Sequence, residues 1–142
     1  MNLDKVQTPS LDLDALVQTD TAVLVIRHPV TGAASATTVT IAGPEHPVRK
    51  AIVFGRMRAA RKEFEKTGSI HVTDPVDDEA DETDLMARCT LGWNLTAGGV
   101  PIEFSLDAAR AMYGDPKRRW LRGQIKVGLD QLDLFISGSA PV

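Results

Sequence analysis

Valine and isoleucine alternate with hydroxylated residues early in this chain, whereas farther on apolar residues recur every three to four positions. The first pattern predicts strands and the second helices. Residues Ala22 to Arg27 are rich in valine and isoleucine, and Thr37 to Ala42 set Thr38 and Thr40 against Val39 and Ile41, so both segments read as strands. Between them His28-Pro29-Val30-Thr31-Gly32 supplies turn chemistry, which predicts an antiparallel hairpin with one apolar and one hydroxylated face. Gly43-Pro44-Glu45-His46-Pro47 then breaks the second strand; Pro47 suits the first turn of a helix, and His46, two residues before Val48, is placed for a role at its entry. That helix is expected from about Pro47 to Lys66, with Val48, Ile52, Val53, Met57, Ala60 and Phe64 as its apolar stripe and Gly68 as its C-terminal cap.

Thr73 to Asp84 hold seven acids in twelve residues and almost nothing to bury, so residues 69–82 are expected to form an acidic, flexible linker. Thr83 then caps a helix through Leu85, Met86, Cys89 and Thr90 that leads toward Trp93. Thr96-Ala97-Gly98-Gly99-Val100-Pro101 is a turn that brings Ile102 and Phe104 back toward Trp93. Ser105 caps a short helix from Leu106 to Tyr113, Gly114 closes it, and Asp115-Pro116 opens another. Leu121, Ile125, Leu129, Leu132 and Ile136 give the last helix an apolar stripe that extends to Phe135. The expected class is α+β. A β-hairpin and basic helix over residues 21–68 and a helical region over 83–137 form a single functional domain, with an N-terminal arm at 1–20 and a tail at 138–142.

Composition narrows the picture. A chain of 142 residues, 43% hydrophobic and 25% charged, suits one globular domain that folds without disulfides or a metal. The lone Cys89 has no intrachain partner and reads as a buried, inert thiol in a reducing compartment. Met1 to Lys5 lack the charged and apolar regions of a secretory signal, and no apolar run approaches the length of a membrane span, so neither export nor insertion is expected.

None of the eleven glycines forms a phosphate-cradling set, and His28, His46 and His71 stand 18 and 25 residues apart without the close pairing of zinc motifs. The alternation of Asp77, Glu79 and Asp81 suggests a calcium loop, yet Glu82 falls where glycine is needed and Arg88 where a bidentate glutamate is needed. No nucleophile motif surrounds Cys89 or any serine. The expectation is therefore a non-enzymatic chain with no catalytic residue, metal or cofactor, acting through its surface.

Two charge clusters carry that surface. The basic helix holds Arg49, Lys50, Arg56, Arg58, Arg61 and Lys62, with Phe64 its only aromatic among the later turns. It reads first as a solvated face screened by nearby acids, second as a contact for an acidic protein, and last as a nucleic-acid surface, because stacking aromatics are sparse. Lys117, Arg118, Arg119 and Arg122 crowd the start of a helix, where the dipole disfavours cations, so something negative must offset them. The acids of 77–84 folding back, or an anionic surface on another subunit, would do so. Trp120 within this cluster reads equally as an interface anchor and as core, and Trp93 reads more as core. The residues set aside for partner contact are Arg56, Arg58, Arg61, Lys62, Arg118, Arg119, Trp120 and Arg122.

From His28-Pro29-Val30-Thr31-Gly32 through Ile41-Ala42-Gly43-Pro44-Glu45-His46-Pro47-Val48-Arg49-Lys50, the chain resembles the small tail assembly chaperone-like proteins of long-tailed bacteriophages. The resemblance continues in Leu91-Gly92-Trp93, in Gly98-Gly99-Val100-Pro101 and in Glu103-Phe104-Ser105, and it spans about residues 22–136. Ala33-Ala34 and Asn94-Leu95 depart from it, at places where that family favours acids. The resemblance implies a non-enzymatic morphogenesis protein of the host cytoplasm, forming homo-oligomers, that shields the tape measure protein and yields it to tail tube subunits. The other class kept open is a permanent virion component, such as a head decoration or connector protein. Neither implies a membrane or nucleic acid as partner.

Overall fold

The alternation of residues 34–42 sorts onto two faces of a sheet, and the rest of the body assembles on the apolar one. In the computed structural model, residues 8–70 and 73–138 are described; the first seven residues of the expected arm, His71 and residues 139–142 of the expected tail lie outside them. The strands are β1 (Leu16–Gln18), β2 (Thr21–Arg27), β3 (Ala34–Ala42), β4 (Thr90–Trp93), β5 (Thr96–Ala97), β6 (Val100–Pro101) and β7 (Ile136–Gly138). The helices are α1 (Pro47–Thr67), α2 (Pro75–Arg88), α3 (Leu106–Gly114) and α4 (Arg119–Asp130), with 3₁₀ turns at Leu13–Ala15, Pro116–Arg118 and Leu132–Phe135. The class is α+β.

Strand β3 is the centre of a three-stranded antiparallel sheet of order β2-β3-β4. Leu24 faces Val39 and Ala22 faces Ile41 on the inner side, where Val39 and Ile41 are fully buried. Val23 opposite Thr40 and Val25 opposite Thr38 form the outer side, which stays wet. The hairpin turn is closed by Gly32 at positive φ and by His28, whose Nδ1 accepts from the backbone N–H of Val30 and Thr31. Helix α4 packs under the sheet through Gly128: a Cβ there would lie 2.9 Å from Leu24 Cδ2 and 3.4 Å from Ile41 Cδ1. The second hairpin, β5–β6, turns on Gly98-Gly99, both with positive φ, and returns Phe104 edge-on to Trp93 at 5.0 Å.

Three helical elements open on a residue-proline pair whose first side chain caps a backbone N–H. His46 Nδ1 accepts from Val48, Asp74 from Val76 and Asp115 from Lys117. At Asp74 this corrects the expectation of a linker, because α2 begins at Pro75 instead of near Thr83. Its first-turn acids Asp77 and Asp78 sit at the positive end of the dipole, and cations of α3 and α4 pair with Glu79, Glu82 and Asp84.

Other elements differ from the sequence pattern in their limits. The helix through Met86 stops at Arg88, and Thr90–Trp93 form a strand because β3 offers them an edge. Asp115-Pro116 opens a 3₁₀ turn, and the α-helix starts only at Arg119. The last helix ends at Asp130, and a 3₁₀ turn carries Phe135 into the core before β7 pairs with β1, drawing in part of the expected arm and tail. Helix α1 has the predicted span, but none of its residues is buried.

One polar chain crosses the core. The Thr90 hydroxyl donates to Met86 O at 2.9 Å and lies 2.8 Å from the Tyr113 hydroxyl. Burial pushes the Tyr113 phenol up to about 12, with the Thr90 hydrogen bond opposing. An unfolded tyrosine ionises near pH 10, so stability is complete below that and should fall by about 1.4 kcal/mol per pH unit until the folded phenol ionises near 12. Urea titrations between pH 8 and 12, compared with Tyr113→Phe, measure this; the phenylalanine variant should lose that slope.

Candidate interaction surface

Helix α1 stands on the body by its first turns. Arg49 Nη1 donates to Ala42 O at 3.0 Å and Nη2 to Leu129 O at 2.8 Å, tying the helix base to the end of β3 and the C-terminal turn of α4. Two turns on, Arg56 donates to Asp81 O on α2 at 2.8 Å. Beyond these anchors the helix presents Phe54 (45% exposed) and Met57 (62% exposed) beside Arg58 and Arg61, the four lining one shallow depression of about 360 Å³. Their spacing of three and four puts them on one face. The α2-facing side carries a second depression, of about 510 Å³, with Ala60, Phe64 and Ile70 on its wall. Arg61 pairs with Glu65 and Lys50 with Glu45, while Arg58 and Lys62 have no ion pair among the described residues.

The second charge cluster turns inward. Glu79 pairs with Arg119, Glu82 lies 3.3 Å from Lys126 and 3.7 Å from Arg122, and Asp84 binds Arg110 at 2.9 Å and Arg88 at 3.1 Å. Of the cluster Lys117, Arg118, Arg119 and Arg122, the acids reach Arg119 and Arg122, while Lys117 and Arg118 have no ion pair among the described residues. Arg122, counted above among partner contacts, is 7% exposed and occupied inside: its guanidinium donates to Tyr113 O, to Glu79 O and to the Thr83 hydroxyl. Arg119 remains largely exposed beyond its pair with Glu79.

Trp120 and Arg118 lie elsewhere, on the far flank of α4. Trp120, 44% exposed, separates two depressions between α4 and β2, of about 270 and 540 Å³. Arg118 borders the smaller one and donates to the Met112 sulfur at 3.2 Å. The seven cations and Trp120 set aside for partner contact thus fall into three places, α1, the α2–α4 seam and the Trp120 groove. The sequence reading leaves out Phe54, Gln124 and Lys126; Phe54 is legible, three residues before Met57 and four before Arg58 on one helical face.

Cys89 caps the end of α2 with its thiol buried, and burial pushes the thiol up despite the lowering effect of Arg49 and Arg56. It is protected from thiolate chemistry. Among the described residues no group of three or more potential ligands is gathered for a metal, and no helix is long and apolar enough to cross a membrane. Comparison with protein families, with curated proteins and with solved structures finds no match for this chain.

Proposed function

We propose that this chain is a non-enzymatic bacteriophage morphogenesis protein, a tail assembly chaperone that covers the tape measure protein in the host cytoplasm and releases it to tail tube subunits. The observation that carries the reading is α1: 21 residues with no buried side chain, offering Phe54 and Met57 inside a frame of Arg58, Arg61 and Lys62. Apolar side chains left in water on a cationic helix suit apolar helices that must be kept soluble, since each contact removes exposed area on both chains. The order of motifs from residue 22 to 136 supplies the phage context.

Co-expression with the tape measure protein of the same genome tests this. A soluble complex is expected, and exchanging Phe54 and Met57 for serine should return the tape measure protein to the insoluble fraction. Purified particles should lack the chain. Its presence there as a stoichiometric component overturns the chaperone reading in favour of a permanent virion protein.

A further inference from the structure

We infer that the groove on either side of Trp120 is a second docking site, separate from α1, that takes a short apolar peptide segment flanked by carboxylates. The two depressions share Arg27, Pro29 and Trp120 as walls and so lie side by side, one on each flank of the indole, the larger along α4 and β2 and the smaller reaching Thr37, Thr96 and Met112. The walls of the larger trough are mainly apolar, with Val25 on one side and Val127, 64% exposed, on the other. Arg27 and Arg118 are the charged residues lining it, and no aspartate or glutamate does. An indole beside arginines in an apolar trough is the composition that concentrates binding energy.

The glycines of α4 say more. Gly128 is needed by the fold, because a side chain there would meet Leu24 and Ile41. Gly123 is not: a Cβ there would meet nothing within 4 Å. A glycine inside a helix costs about 1 kcal/mol relative to alanine, and at 123 no intramolecular contact offsets it. Gly123 lines the trough between Trp120 and Val127, three and four residues to either side, and leaves a notch in which another backbone can approach α4 closely.

The trough is also preformed. The Gln124 amide accepts from Arg27 N–H at 2.8 Å and donates to Arg27 O at 2.9 Å, fixing the end of β2 to α4 from below. The other flank of α4 already receives an acidic helix, through Glu79 on Arg119 and Glu82 on Lys126. An acidic segment on the Trp120 flank repeats that chemistry, and Arg27 and Arg118, which donate to Gly32 O and Met112 Sδ but have no ion pair among the described residues, select it over a basic one.

The test pans the full chain against a random short-peptide library displayed on yeast. Recovered sequences should combine aromatic or aliphatic residues with Asp or Glu, and Gly123→Leu should weaken the best of them by roughly tenfold or more. Because leucine improves helix propensity and a Cβ at 123 meets nothing within 4 Å, this variant should melt no lower than the parent, which separates blocked docking from misfolding. Trp120→Ala should weaken the same peptides, whereas Met57→Ser on α1 should not, so this site can stand or fall apart from the proposed function. Absence of enrichment, recovery of basic sequences, or binding indifferent to Gly123→Leu overturns the inference. So does binding of phosphatidylserine vesicles that shifts Trp120 emission to the blue, which would make the trough a lipid contact.

Discussion

Replacing Phe135 by alanine should lower the unfolding free energy by about 4 kcal/mol, the range of large core aromatics cut to a methyl group. The ring is fully buried, and its Cδ1 would lie only 2.8 Å from a Cβ on Gly43, so that glycine and the ring fill one space. The same residue closes the N-terminal segment through its backbone: its carbonyl accepts from Thr19 N–H at 2.6 Å and from the Thr19 hydroxyl at 3.2 Å. Losing the ring therefore opens a cavity where the 3₁₀ turn meets the sheet and loosens the register of β1 against β7. Equilibrium urea unfolding reads it as a lower midpoint at unchanged slope. A loss below about 1 kcal/mol would mean that the site collapses around the gap or that Phe135 is not core.

Arg122→Ala should cost about 3 kcal/mol, because it removes a nearly buried guanidinium and leaves its acceptors unpaired. Nη1 donates to Tyr113 O at 3.1 Å, one of the end carbonyls of α3 that have no partner within their own helix, and to the Thr83 hydroxyl. Nη2 donates to Glu79 O at 3.2 Å and lies 3.7 Å from Glu82 Oε1. One side chain thus joins α2, α3 and α4. Arg122→Lys should recover only part of the loss, since an ammonium cannot fork between these acceptors. By contrast Arg119→Ala, which breaks an exposed pair with Glu79, should cost no more than about 1 kcal/mol and lose even that at high salt. If Arg122→Ala instead left the urea midpoint unmoved, its place would be at a partner surface.

The hairpin was legible in the sequence because two independent signals agreed, the Val/Thr alternation and the His-Pro-x-Thr-Gly turn. The Gly98-Gly99 turn was equally legible, since two adjacent glycines suit the paired positive φ of a tight hairpin. The acidic run was misread because composition was weighed above its start. Asp74-Pro75 is the same cap-and-proline pair as His46-Pro47 and Asp115-Pro116, and Glu79, Thr83 and Met86 already share one helical face. Acids there are tolerated because cations more than twenty residues later meet them, a long-range pairing that the cluster 117–122 only hinted at. Strand β4 was missed for a like reason: Thr90 to Trp93 become a strand when β3 supplies the other half of the ladder. The candidate surface was legible in its charges but not in their direction. Arg58 and Arg122 look alike in sequence, and only packing makes one exposed and the other internal.

A helix that its own body does not cover is also a helix that can melt alone. Twenty-one residues at the α-helical rise reach about 30 Å, and past Arg56 no α1 side chain is buried and none hydrogen-bonds to another helix or strand among the described residues. Opening those turns takes a small part of the free energy needed to unfold the sheet, so their amide protons should trade with deuterium while those of β3 are still protected. Under the proposed function, a partner seated there would be let go by that local transition, with the sheet and its supporting helices left intact.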